Sequence, residues 1–97
     1  MPSTKDEALM NMAEVMIRSG QPDRAEQAVR SIEDDDYRDH GLVCISRDIA
    51  FVAARMGGGR EAKRLLKTAR RLAQSVDNSF RREEALANVE AAQIAAG

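Results

Sequence analysis

Residues 42–76, LVCISRDIAFVAARMGGGREAKRLLKTARRLAQSV, hold two helices and the turn that joins them, and their apolar spacing decides the fold class. In the first half Leu42, Ile45, Ile49, Val52, Ala53 and Met56 recur every three or four residues and share one helical face. Val43, Ala50 and Ala54 widen that face past half the circumference, which puts this helix in the middle of a helical domain. Gly57-Gly58-Gly59 then reverses the chain. The triplet lacks the strand, the spacing and the Lys-Ser/Thr of a phosphate loop, so its expected role is a hairpin turn. The second half divides into Ala62, Leu65, Leu66, Ala69, Leu72, Ala73 and Val76 on one side and Arg60, Lys63, Arg64, Lys67, Arg70 and Arg71 on the other. The two helices are expected over about 37–56 and 60–76.

Three more helices fit outside this stretch. A first, about 5–19, carries Ala8, Leu9, Met12, Ala13, Met16 and Ile17 on one face and has Thr4 and Glu7 at capping-box spacing before Gly20 ends it. A second, about 22–33, starts on Pro22 at the first helical position with Asp23 beside it, and lines up Ala25, Ala28, Val29 and Ile32. Asp34-Asp35-Asp36 breaks the chain, and Asp36 with Asp39 is expected to cap the third helix. Asp77-Asn78-Ser79 offers the cap for a fifth helix, about 80–96.

The first two helices are read again in the third and fourth. Gly20 and Gly57 are 37 residues apart, and so are Ala25 and Ala62, Val29 and Leu66, Ala13 and Ala50, and Met12 and Ile49. Small side chains at Ala13, Ala25, Ala50 and Ala62 let two helices joined by a tight turn approach closely. The pattern Leu9, Met12, Ala13, Met16, Gly20, Ala25, Val29 and Ile32, with Ile49, Ala50, Ala53, Gly57, Ala62, Leu66 and Ala69 in the second copy, resembles a tetratricopeptide-like repeat. Leu86, Val89 and Gly97 would open a third unit. The resemblance implies an all-α fold, a right-handed stack of antiparallel helical hairpins forming an α-solenoid of about five helices. One domain would span 1–97, with units at about 5–36 and 37–78 and a half unit at 79–97. Such repeats hold peptides or proteins on the concave face built by the first helix of each unit, which implies Met12, Ile49 and their neighbours here.

Composition agrees with helices and limits function. The chain has 97 residues, 43% apolar, of which 16 residues are Ala, and only Tyr37, Phe51 and Phe80 are aromatic, so the core is thin and close-packed. The formal charge of -1 excludes a basic nucleic-acid arm and an acidic disordered tail as descriptions of the whole chain. Charge is polarised nevertheless: residues 1–40 carry net -5 and residues 41–97 net +4. Cys44, the single cysteine, allows no internal disulfide, and no charged-then-apolar leader precedes the first helix, so the cytoplasm is the expected compartment. Ser46, Arg47, Asp48 and Arg55 interrupt the longest apolar stretch, which is too short for a membrane span.

The candidate chemistry is sparse. His40 and Cys44 are the only His and Cys, too few for zinc and without the base and orienting group that a nucleophile needs. Glu33, Asp34, Asp35, Asp36 and Asp39 lack the alternating ligands and Gly turn of a calcium loop. No metal, no cofactor and no catalytic residue is therefore assigned. Two apolar features sit where water is expected. Phe51 lies with Cys44 among Arg47, Asp48 and Arg55, while Phe80, Ala87, Ala91 and Ile94 make a line on the fifth helix opposite Ala85, Val89, Ala92 and Ala96. Stacked repeats ordinarily end in a helix with a polar outer face, and this one does not.

The sequence thus reads as a protein-interaction module without catalytic activity. It is expected to bind a protein or peptide partner, or a second copy, through Phe80, Ala87, Ala91 and Ile94, with Phe51 as a second apolar point and Arg64, Lys67 and Arg71 steering acidic partners. The alternative is a nucleic-acid-binding helical domain using the basic face of the fourth helix, against which stands the lack of interleaved aromatic residues.

Overall fold

Three helices start in the same way. Ser3, Asp34 and Asn78 each accept the backbone N–H of the residue three positions on, Asp6 at 3.1 Å, Tyr37 at 2.8 Å and Arg81 at 3.0 Å. Each cap contributes about 1 kcal/mol by satisfying a donor that the helix leaves free. The computed structural model describes residues 1–96, in which these caps open α1 (Thr4–Arg18), α3 (Asp35–Arg55) and α5 (Ser79–Ala96). Between them lie α2 (Pro22–Arg30), entered on Pro22, and α4 (Arg60–Gln74), entered on Gly59.

The turns inside the two hairpins are also alike. Gly20 and Gly57 adopt φ of 77° and 75°, the left-handed conformation that a side chain disfavours. At Gly20 two hydrogen bonds close the helix end, Gly20 N–H to the Ile17 carbonyl at 3.1 Å and Gln21 N–H to the Met16 carbonyl at 2.8 Å. At Gly57 one such bond, to Ala54, is present at 3.3 Å.

The Cα body measures 39 × 29 × 14 Å. Its short dimension is that of two helices packed about 8–10 Å apart. In one layer α3 lies between α1 and α5 and touches both; in the other, α2 covers α1 and α3, and α4 covers α3 and α5. The long α3 is therefore in contact with all four other helices, as its wide apolar arc requires, and Leu42, Val43, Ile45, Ile49, Ala50 and Ala53 are buried along it. The described residues contain helices and turns and no strand.

Two buried carboxylates tie the layers together. Asp6 of α1 accepts the backbone N–H groups of Glu33 and Asp34, at 3.0 and 3.2 Å, just after α2. Asp39 of α3 accepts those of Asp77 and Asn78, at 2.7 and 3.2 Å, just after α4. Next to each turn an arginine returns to a carbonyl six residues earlier, Arg38 to Ile32 at 2.9 Å and Arg82 to Val76 at 3.1 Å. Equivalent positions are thus 33 residues apart for Asp6 and Asp39, 37 for Gly20 and Gly57, and 44 for Asp34 and Asn78 or Arg38 and Arg82. The growth from 33 to 37 and from 37 to 44 corresponds to about one and two helical turns, lengthening α3 and α4 without rotating their buried faces.

Three sequence expectations are corrected here. The first helix is capped by Ser3 with Asp6, not Thr4 with Glu7, because Asp6 is already held by the turn after α2. The third helix is capped by Asp34, not Asp36 with Asp39. Asp36 stays in water, and Asp39 is buried inside the helix as an acceptor for the turn after α4. The second helix ends at Arg30, not near residue 33, since residues 31–34 form the turn that Asp6 holds.

Candidate functional site

On α5 the side turned to α3 is closed and the side beyond α4 is open. Ala85 and Val89 are fully buried and Ala92 is half-buried, whereas Phe80, Ala87, Ala91 and Ile94 are all exposed, Phe80 at 83% and Ile94 at 76%. The Ala96 side chain and Gly97 lie outside the described residues.

The hydrogen-bonded framework shows what this exposure means. The row Asp6, Met10, Ala13 and Ile17 on α1 is buried, and so is the matching row Asp39, Val43, Ser46 and Ala50 on α3; the acid that heads each row grips the turn after the helix covering it. Forty-four residues beyond the α3 row come Glu83, Ala87, Glu90 and Ile94, and all four are exposed. The apolar line therefore splits. Ala87 and Ile94 match the buried Val43 and Ala50, while Phe80 and Ala91 match Asp36 and Arg47, which face solvent on α3 as well.

The neighbouring wall of this open face is α4. Arg60, Lys63, Arg64, Leu66, Lys67 and Arg70 of α4 and Gln93 of α5 line a groove of about 570 Å³. The candidate cations of α4 have different fates. Arg71 is engaged across the layer with Glu26, at 3.0 and 2.8 Å, and holds that carboxyl down at about 2; Arg30, 2.8 Å from the same carboxylate, adds to the effect. Arg64 pairs with Glu61 at 2.7 Å and lowers its pKa. Lys63, Lys67 and Arg70 make no ion pair among the described residues, and Arg70 reaches only the neutral Gln93. Arg64 and Lys67 therefore belong to the groove, while Arg71 is part of the framework.

Phe51 sits apart from this groove. It is 61% exposed and lines a smaller depression of about 250 Å³ between α1 and α3, with Glu14, Arg18, Asp48 and Arg55 around it. Cys44, expected beside Phe51 at the surface, is buried, with its Sγ 3.4 Å from His40 Nε2 and its thiol pKa raised by loss of solvent. Ile49, which the resemblance placed on an open concave face, is 1% exposed and belongs to the core; Met12 is at the surface.

Sequence reasoning passed over Glu83, and of the basic face of the fourth helix it chose Arg64, Lys67 and Arg71 as steering residues and left out Lys63 and Arg70. A signal for the first existed: Lys5-Asp6-Glu7-Ala8-Leu9, Arg38-Asp39-His40-Gly41-Leu42 and Arg82-Glu83-Glu84-Ala85-Leu86 repeat basic, acidic, any, small, Leu. Compared with protein-family models, with curated proteins and with solved structures, the chain matches none of them.

Proposed function

We propose that this chain is a protein-interaction module of tetratricopeptide-like design, two and a half helical hairpins that bind by surface complementarity and carry out no reaction of their own. The observation that carries the reading is the exposed row Glu83, Ala87, Glu90 and Ile94, whose counterparts on α1 and α3 are buried beneath a covering helix. A helix face on which Ala87 and Ile94 alternate with Glu83 and Glu90 is the kind of mixed apolar and charged surface through which helical proteins meet partners. No helix among the described residues is long and apolar enough to cross a membrane. The free, buried thiol of Cys44 is compatible with a reducing cytoplasm, the compartment proposed here.

The test is the solution mass and the set of co-purifying proteins, compared between the wild-type chain and Ile94→Asp. Loss of a bound protein, or of a dimer, in the variant supports the module. A strictly monomeric mass with no co-purifying protein in either overturns it. The second reading, a nucleic-acid binder, is favoured by the cations of the α4 groove, Arg60, Lys63, Lys67 and Arg70. It requires that random-sequence RNA or DNA be retained by the protein at low salt, and absence of retention removes it.

A further inference from the structure

The open groove sits where the framework would place one more covering helix, and its walls specify that helix. α2 meets α4 through acids: Glu26 pairs with Arg71, and Asp23 adds to the field at both Arg64 and Arg71. On α4 the residues 44 positions after Asp23 and Glu26 are Lys67 and Arg70, both exposed. The sign of the charge is inverted, so the side of a further helix turned to α4 needs carboxylates where α4 itself presents Arg64 and Arg71, seven residues or two turns apart. Of α5 it is Gln93 that lines the groove, while Ala87 and Ile94, exposed on the same helix, stand 44 positions after Val43 and Ala50, which are buried on α3, the helix that α4 covers. One turn before Ala87 the exposed Glu83 takes the place, 44 positions on, of Asp39 and hence of Asp6, each of which accepts two backbone N–H groups from the turn closing its covering helix.

We infer that the groove between α4 and α5 docks an amphipathic helix supplied by a partner protein. That helix turns small and aliphatic side chains to Ala87 and Ile94, sets two carboxylates seven residues apart against Lys67 and Arg70, and ends in a turn whose backbone N–H groups Glu83 accepts. This rests on the interaction-module reading and adds the chemistry of the partner. Glu90 replaces the buried Ser46 in the row, so the partner helix also presents a hydrogen-bond donor at mid-length.

The probe is a synthetic peptide of residues 60–79 of this chain, which contains the α4 face that covers α3 and the turn that Asp39 grips, with Arg64→Glu and Arg71→Glu introduced. The control is the same peptide unaltered. Fluorescence anisotropy against the intact protein should show the charge-reversed peptide binding at least tenfold more tightly than the control. Ile94→Asp in the protein should weaken it by at least tenfold, and Lys67→Glu with Arg70→Glu should invert the preference between the two peptides. Equal binding of both peptides, or binding untouched by all three substitutions, overturns the inference, as does no binding of either at millimolar concentration. A concentration-dependent dimer abolished by Ile94→Asp and by Lys67→Glu assigns the groove to a second copy and likewise overturns it. Co-purification of a partner unaffected by these variants would leave the module reading standing while this inference fell.

Discussion

Asp6 and Asp39, 33 residues apart, perform the same act: each lies buried near the start of a helix and accepts two consecutive backbone N–H groups from the turn that follows the next helix. A helix must otherwise be held to its neighbour by side-chain packing alone, and with Ala at so many contact points that packing is shallow. The carboxylates fix the far end of the covering helix, so the angle between the two helices is set at both the Gly turn and the clamp. Glu83 places a third carboxylate 44 positions beyond Asp39, exposed and with no such hydrogen bond among the described residues.

Asp39→Ala should lower stability by about 2 kcal/mol, because it strands the Asp77 and Asn78 N–H groups in a partly buried turn. Glu83→Ala, which removes the third acid of the series, should change stability by less than about 0.5 kcal/mol. Urea denaturation of both variants checks this through the transition midpoint at unchanged slope. Equal losses in the two would mean that Asp39 contributes no more than a surface carboxylate does.

Acid should weaken the fold in a defined window. Glu26 is held down at about 2, first by the hydrogen bonds from Arg71, and Asp6 and Asp34 are lowered chiefly by backbone N–H groups of Glu33 and Tyr37. Carboxyls depressed in the folded state stabilise it above their ordinary pKa, near 4, and lose that contribution as pH falls towards 2. The thermal midpoint should therefore be flat from pH 7 to 5 and fall steadily below. In Glu26→Gln the midpoint should start lower at pH 6 and fall less steeply; a wild-type midpoint unchanged between pH 5 and 2 would contradict the assignment.

The helices were legible in the sequence because periodicity and breakers report local structure. Gly20, Pro22, Gly57 and Asn78 all mark true ends. The registers were less so. A single offset of 37 describes the Gly turns but misaligns the helix ends, since α3 and α4 are lengthened by whole turns that leave the pattern of buried residues almost unchanged. For the same reason Asp39 read as a cap: nothing local distinguishes a carboxylate that serves its own helix from one that serves a turn 38 residues away. The second apolar line on α5 was legible in the sequence, and Phe80 and Ile94 on it are exposed, but the split between Ile94 and Phe80 needed the offset of 44.

At Gly41, α3 lies close against both helices of the first hairpin. A Cβ built there would lie 3.0 Å from Val29 Cγ1 and 3.2 Å from Met10 Sδ. The thioether of Met10 can move aside, whereas Val29 is fully buried and stiff about χ1. Gly41→Ala trades this crowding against a gain in helix propensity of about 1 kcal/mol and should stay within about 1 kcal/mol of wild type. Gly41→Val adds two methyl groups with nowhere to go and should cost about 1–3 kcal/mol. Denaturation midpoints of the pair decide it, and a Val variant as stable as the Ala variant would show that α2 and α3 are not in tight contact.

Cys44 is the residue most open to chemical test. Burial raises its thiol pKa, and although His40 lies within 3.4 Å, the neighbouring Arg47 offsets that shift only in part. A thiol that stays protonated and covered is a poor nucleophile. Alkylation by iodoacetamide at pH 8 should run at least tenfold slower than that of a small free thiol, be unaffected by His40→Ala, and accelerate to the free-thiol rate once urea unfolds the chain. Alkylation faster than the free thiol and slowed by His40→Ala would reveal an activated Cys–His pair, which would put a chemical role in place of the purely binding one.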